Sequence, residues 1–150
     1  MFDPYFGKLT LCKSLNSFER EVEYLGSSVE LSIHADNEDD DDDVDDLIYT
    51  FNERLEIAKT LMKDIEKWSL LAKEFAALEL SELKNSLWLE NGESAVSQDE
   101  FISRLKLSSI TIYIDGSFDI TFTDGNLFFG HLISVSGSLS EGLTQADMLG

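Results

Sequence analysis

The sequence predicts an α+β fold. A three-stranded antiparallel meander opens the chain, a helical middle of two long helices plus a short capped helix follows, and a three-stranded antiparallel meander closes it. Three observations predict this. Apolar and polar residues alternate at both ends of the chain, the period of half-buried strands. From Leu47 to Leu89 there is no Gly or Pro, and apolar residues recur at spacings of three and four, as on one face of a helix. Two Asp-Gly dipeptides, Asp115-Gly116 and Asp124-Gly125, punctuate the final alternating stretch where hairpin turns belong. With 150 residues, 43% of them apolar, the chain is expected to bury one core and form a single domain, 1–150.

The opening Phe2-Asp3-Pro4-Tyr5-Phe6-Gly7 holds the only proline, which cannot donate to a ladder and so marks an edge or lead-in. Leu9 and Leu11 then alternate with Lys8, Thr10 and Cys12. Phe18, Val22 and Tyr24 share one face of a second strand, and after the turn Gly26-Ser27-Ser28 a third strand turns Val29, Leu31 and Ile33 inward.

The run Asp36-Asn37-Glu38-Asp39-Asp40-Asp41-Asp42-Asp43-Val44-Asp45-Asp46 ends this meander. Clustered carboxylates repel one another and offer nothing apolar to pack, so a mobile acidic loop is expected at about 36–46. Asp45 or Asp46 is placed to cap a helix, whose exposed N–H groups favour carboxylates; Thr50 with Glu53 offers a capping box one turn later.

Leu47, Phe51, Leu55, Ala58, Met62 and Ile65 make the first helical stripe, and Trp68, Ala72, Phe75, Ala76, Leu80, Leu83 and Leu87 continue it. One straight helix of this length would reach about 65 Å, too long for a domain of this size. A break is therefore expected near Lys67 to Leu70, with Asn91-Gly92 closing the second helix. Ser97 and Glu100 form a capping box, flanked by Val96 and Phe101 as a hydrophobic staple, for a helix from about Gln98 to Lys106.

In the last third, Leu107, Ile110, Ile112 and Ile114 lead into Asp115-Gly116, and Phe118, Ile120 and Phe122 lead into Asp124-Gly125-Asn126. Leu127, Phe129, His131, Ile133 and Val135 then share one face of a longer strand. The tail from Gly137 reads as polar turns, with Leu139, Leu143, Met148 and Leu149 against a sheet edge. The pattern leaves open whether the two meanders share one sheet, and the helices are expected to cover one or both.

Two blocks carry a resemblance: the Phe2-Asp3-Pro4-Tyr5-Phe6-Gly7 opening, and the stretch from Phe101-Ile102-Ser103-Arg104-Leu105-Lys106 through Ile112-Tyr113-Ile114-Asp115-Gly116-Ser117-Phe118 to Gly130-His131, ending in Thr144-Gln145-Ala146-Asp147. Together they resemble the bacterial domain-of-unknown-function family 2262, over most of the chain. The resemblance implies a bacterial source and no particular catalytic residues. Small acidic bacterial domains of this kind are found among immunity proteins of toxin systems, an analogy that bears on function only.

The formal net charge is -19, and the acidic run supplies less than half of it. Such a chain repels phosphate backbones and anionic lipids and attracts basic protein surfaces, so direct nucleic-acid or membrane binding is not expected. One cysteine, Cys12, has no internal disulfide partner and no zinc-ligand companions, which fits a reducing compartment. No basic-then-apolar leader opens the chain and no run approaches the roughly 20 apolar residues of a membrane span, so a cytoplasmic protein is expected.

The candidate partner-binding residues are Asp39, Asp40, Asp41, Asp42, Asp43, Asp45 and Asp46, whose carboxylates can imitate a phosphate array in a Lys/Arg groove. They are not a calcium loop. An EF-hand needs Gly at its sixth position and Glu at its twelfth, and starting from Asp36 these are Asp41 and Leu47, from Asp41 Asp46 and Asn52. His131, with Asp115, Asp119 and Asp124 nearby in sequence, is the one candidate for a general base. A strand histidine between Phe129 and Ile133 reads more simply as a hydrogen-bonded core residue, and Asp115 and Asp124 as turn residues. Cys12 has no activating neighbour. Ser134, Ser136, Ser138 and Ser140 alternate as a solvent face, without a Gly-x-Ser-x-Gly elbow. Among Tyr5, Phe6, Tyr49, Trp68, Trp88, Tyr113 and Phe128, some are expected at an interface.

The sequence therefore favours a non-catalytic acidic interaction protein, an immunity or antitoxin-like inhibitor of a basic toxin or nuclease-like domain, with no cofactor or metal. The alternatives are a housekeeping ligand-binding or regulatory domain and, third, an enzyme using His131.

Overall fold

The computed structural model describes residues 1–35 and 44–149, and side chains for all of these except 44–50. The elements run β1 (Phe2–Asp3), β2 (Gly7–Lys8), β3 (Thr10–Cys12), β4 (Ser17–Tyr24), β5 (Ser27–His34), α1 (Val44–Lys63), α2 (Ile65–Leu87), α3 (Gln98–Arg104), β6 (Lys106–Ile112), β7 (Phe118–Thr123), β8 (Leu132–Ser138) and β9 (Gly142–Leu149). β1 and β2 pair as a small hairpin. The other seven strands form one sheet in chain order, β3-β4-β5-β6-β7-β8-β9. Every neighbouring pair is antiparallel except β5 and β6, which run parallel. That pairing joins the two meanders and makes the helical middle a crossover connection, which parallel strands require.

The register sorts the sheet into two unlike faces. On one, Phe18, Ile33, Ile112 and Phe118 follow one another across β4 to β7. Beside them run Leu31, Ile110, Ile120, Val135 and Ala146, and then Leu107, Phe122, Ile133 and Met148. α1 lies over β5 and β6, and α2 over β8 and β9. Leu55, Ala58, Leu61, Ala72, Ala76 and Leu80 meet these rows in a core where Ile33, Ile110, Ile112, Phe118, Ile120, Phe122, Ile133 and Val135 are fully enclosed. Burial of this face holds the register, because a one-residue slip would turn every apolar row to water.

The α+β class and the N-terminal meander stand as the alternation predicts, while several finer expectations are corrected. The C-terminal half has four strands, not three: the tail expected as turns is β9, paired along β8 from Leu132↔Leu149 to Ser138↔Gly142, with a register shift between Ser136 and Gly137. The helical break falls at Asp64 rather than 67–70, and the Trp68 amide still reaches the Asp64 carbonyl at 3.0 Å. α2 ends at Leu87, before Asn91-Gly92. α3 ends at Arg104, not Lys106, because Lys106 is already in β6. Its start is as read: the Glu100 amide donates to Ser97 Oγ at 3.1 Å, and Val96 and Phe101 are both buried. At Asp115-Gly116 only the glycine has positive φ, +86°. The Gly116 amide donates to the Tyr113 carbonyl and the Tyr113 amide to the Ser117 carbonyl, which makes this a three-residue hairpin loop.

The strand expected from Leu127 begins only at Leu132. Asp124, buried, gathers the preceding loop: Oδ1 accepts the Asn126 amide at 2.9 Å, and Oδ2 accepts those of Phe128 at 2.9 Å and Gly130 at 3.1 Å. Asn126 and Phe129 take positive φ in this wrap. No helix among the described residues is long and apolar enough to cross a membrane.

Candidate functional site

Of the predicted partner-binding residues, Asp39, Asp40, Asp41, Asp42 and Asp43 lie outside the described residues. Asp45 and Asp46 belong to the first turn of α1, and their side chains lie outside them too. The run follows directly on the end of β5. There Arg54, buried in α1, donates from Nη1 to the His34 carbonyl and sits 6.0 Å from the Phe51 ring centroid.

His131 does not meet Asp119. It lies in the loop before β8, its Nδ1 against the Phe128 carbonyl and its ring 5.5 Å from that of Trp88. Asp119 sits near the start of β7, at the end away from Thr123, whose partner is Leu132. The parts of a histidine-based general base are thus at opposite ends of one strand. Asp115 accepts the Ser117 amide and hydroxyl within its own turn, and the hydroxyl bond, with the amide bond behind it, holds its carboxyl below the ordinary range.

The register assembles a different surface. On the helix-free face two polar rows cross the sheet. The first is Thr10, Glu19, Ser32, Thr111, Asp119, Ser136 and Gln145, one residue from each of the seven strands. The second is Glu21, Glu30, Ser109, Thr121, Ser134 and Asp147. Neither row contains Lys or Arg, but Lys8 and Arg20 line a shallow cavity together with Thr10, Glu19, Glu21 and Glu30 at the β3-β4 edge, and Lys106 lies a further row away opposite Thr123. Glu21, Glu30 and Asp147 are exposed, while the short hydroxyl side chains of Ser32, Thr121 and Ser134 are screened by their neighbours. Of the serines read as a solvent face, Ser134 and Ser136 stand in these rows, with Ser134 buried, Ser138 ends β8, and Ser140 lies in the turn before β9.

At the β7 position of the first row stands a compact polar group. Tyr113 donates its hydroxyl to Asp119 Oδ2 at 2.5 Å, and Ser136 donates to Asp119 Oδ1 at 2.6 Å. Burial, then the hydrogen bond to Asp119 and its charge, push the Tyr113 phenol up to about 12, so it remains a donor at neutral pH. The His34 ring stands edge-on to Tyr113 at 5.1 Å. Each oxygen of Asp119 therefore accepts one hydroxyl and keeps a further acceptor site. No Lys, Arg or His among the described residues forms an ion pair with it.

Two polar clusters that the periodicity did not reveal hold the frame. Asp3, 3% exposed, accepts the amides of Tyr5 at 2.8 Å and Phe6 at 2.9 Å and pairs with Lys59 at 3.0 Å, fastening the β1-β2 hairpin to α1. Lys84, fully buried in α2, donates to the Trp88 carbonyl at 2.7 Å and to Glu93 Oε1 at 2.8 Å. Arg104 approaches Glu93 at 3.6 Å and donates to the Gly125 carbonyl at 3.0 and 2.8 Å, which ties α2, α3 and the Asp124 loop together. Trp88 packs on Phe128 here and Trp68 on Phe118, so both tryptophans serve the core rim. Tyr5 is 48% exposed, and Tyr49 lies outside the described side chains.

Among the described residues, fold and surface define a two-layer α+β protein with helices on one face of the sheet and polar, acidic rows on the other. A family model described as "Uncharacterized protein conserved in bacteria (DUF2262)" matches residues 3–148, and the chain belongs to that bacterial family. No curated protein and no solved structure matches it.

Proposed function

We propose that the protein is a non-catalytic acidic interaction protein, an immunity or antitoxin-like inhibitor that binds and blocks a basic bacterial toxin domain. The observation that carries this reading is the pair of polar rows on the open sheet face: five carboxylates, Glu19, Glu21, Glu30, Asp119 and Asp147, among hydroxyls, with no cation in either row. Lys8 and Arg20 offset part of this charge at the β3-β4 edge, but the carboxylates outnumber them, so a Lys/Arg-rich partner surface lowers the electrostatic energy of the face and is steered towards it. The acidic run from Asp36 to Asp46 adds carboxylates next in sequence to β5 and raises the same bias.

The test is a pulldown of the product of the neighbouring gene at low and at high salt. A complex weakened by salt, and weakened again when Glu19, Glu21 and Glu30 are changed together to Gln, supports the reading. Neutralising Asp39 to Asp43 with Asn and Ser divides the charge effect between the sheet face and the run. Failure to protect cells against any linked toxin ends the inhibitor reading.

A further inference from the structure

The open face carries one carboxylate whose setting differs from the rest. Glu21, Glu30 and Asp147 are exposed, and Glu19, half-buried, accepts the Ser17 hydroxyl at 3.3 Å, whereas Asp119 is half-buried and accepts two short hydroxyl bonds, from Tyr113, just past the end of β6, at 2.5 Å and from Ser136 on β8 at 2.6 Å. Each oxygen of Asp119 accepts one hydroxyl and keeps a further acceptor site. Thr111 is its direct partner on β6, and the His34 ring stands edge-on to the Tyr113 ring at 5.1 Å. Half-burial strengthens the attraction between Asp119 and any cation brought to it, and no ion pair among the described residues already occupies it.

We infer that Asp119, Tyr113 and Ser136 form a receptor for a single guanidinium group, an arginine side chain presented by a basic protein partner. The inference rests on the reading of the chain as an acidic interaction protein and places its anchoring contact. The chemistry selects arginine over lysine. A guanidinium fork matches two parallel carboxylate acceptors and stacks flat against an aromatic ring, whereas an ammonium is a compact point charge that uses neither feature fully. Tyr113 and Ser136 act as positioning residues. Their hydroxyls restrict the rotamers of the carboxylate, so the fork meets a carboxylate already fixed in place.

The experiment titrates the whole protein with acetyl-arginine-amide and, separately, acetyl-lysine-amide, each carrying one positive charge, and follows backbone amide shifts by NMR. The expected result is saturable shifts centred on Tyr113, Asp119 and Ser136, with the arginine probe at least about threefold tighter than the lysine probe. Asp119→Asn removes those shifts, and Glu82→Gln, exposed on α2, leaves them. Shifts that stay linear and spread over every acidic residue overturn the receptor, and localisation in the wild-type protein decides this without any variant. Equal affinity for the two probes overturns the guanidinium assignment. A basic partner that binds Asp119→Asn as tightly as wild type removes this inference and leaves the interaction reading standing. Absence of any basic partner removes that reading instead.

Discussion

Glu21 and Glu30 stand directly opposite one another across β4 and β5, both exposed on the helix-free face. Like charges in this position repel, and a favourable cross-strand pair is worth only about 0.2–1 kcal/mol. Glu30→Gln is therefore expected to stabilise the isolated protein by a similar amount, about 0.2–1 kcal/mol, read as a higher urea midpoint at low salt. The same change should weaken binding to a basic partner. Stability gained together with affinity lost identifies a pair retained for recognition, and a destabilised variant would argue that the two carboxylates are compensated in solution.

Lys84 shows the opposite economy. Its ammonium is enclosed, yet both strong contacts, the Trp88 carbonyl and Glu93, belong to the chain leaving α2. Lys84→Ala strands these acceptors and opens space beside Phe129, whose ring centroid lies 5.7 Å from Nζ. A loss of about 2–3 kcal/mol is expected by chemical denaturation, because the stranded groups are partly open to water and regain some hydration.

Gly125 is required where Arg104 crosses the Asp124 loop. Its φ is +55°, and a Cβ there would lie 2.3 Å from the Arg104 carbonyl oxygen, a backbone atom that cannot swing aside. Gly125→Ala is expected to cost more than about 1 kcal/mol, from left-handed strain plus displacement of the Arg104 guanidinium. A lowered melting temperature with a broadened Trp88 environment, seen by fluorescence, checks it.

These clusters explain which parts of the fold were legible in the sequence. Val29, Leu31 and Ile33, or Phe118, Ile120 and Phe122, announce strands because one face is buried and the period is two. Ser97 and Glu100 announce a helix because the cap is local. β9 was missed because Leu143, Ala146 and Met148 face the helices across a register shift that breaks the alternation. The break at Asp64 has no Gly or Pro to signal it. His131 was placed on a strand because the wrap around Asp124 depends on three amide bonds and two left-handed non-glycine residues, none of which has a periodic signature. The open face was hidden for another reason. Its rows draw single residues from up to seven strands, so they exist only once β5 and β6 are paired.

Two carboxylates link stability to acid. Burial alone would raise the Asp3 carboxyl, but the Phe6 amide, Lys59 and the Tyr5 amide outweigh it and hold it below its ordinary 3.8. The Lys84 hydrogen bond, then the Glu90 amide, hold Glu93 below its ordinary 4.5. Groups lowered in the folded state contribute stability that is present above their ordinary values and is lost as pH falls through the folded ones. Urea midpoints are expected to fall on acidification below about pH 4.5, and the Asp3→Asn, Glu93→Gln double variant to show a flatter dependence over that window.

Tyr113 makes the corresponding link at alkaline pH and tests the Asp119 arrangement directly. Its phenol is raised from 10.0 to about 12, by burial first and then by the bond to Asp119 and its charge. A group raised in the folded state contributes stability that is fully present below its ordinary value and is lost as pH rises through the folded one, here between 10.0 and about 12. Tyr113→Phe should remove that part of the alkaline decline. In an ultraviolet titration it should also remove a late-ionising phenol. Asp119→Asn separates the causes: it deletes the carboxylate charge and weakens the hydrogen bond but leaves the burial, so the transition should move down towards 10.0 without reaching it. A Tyr113 transition unchanged by Asp119→Asn would mean that burial alone sets it. The carboxylate would then not be held by the phenol in solution, and Asp119 would be one more freely rotating acid on an acidic face.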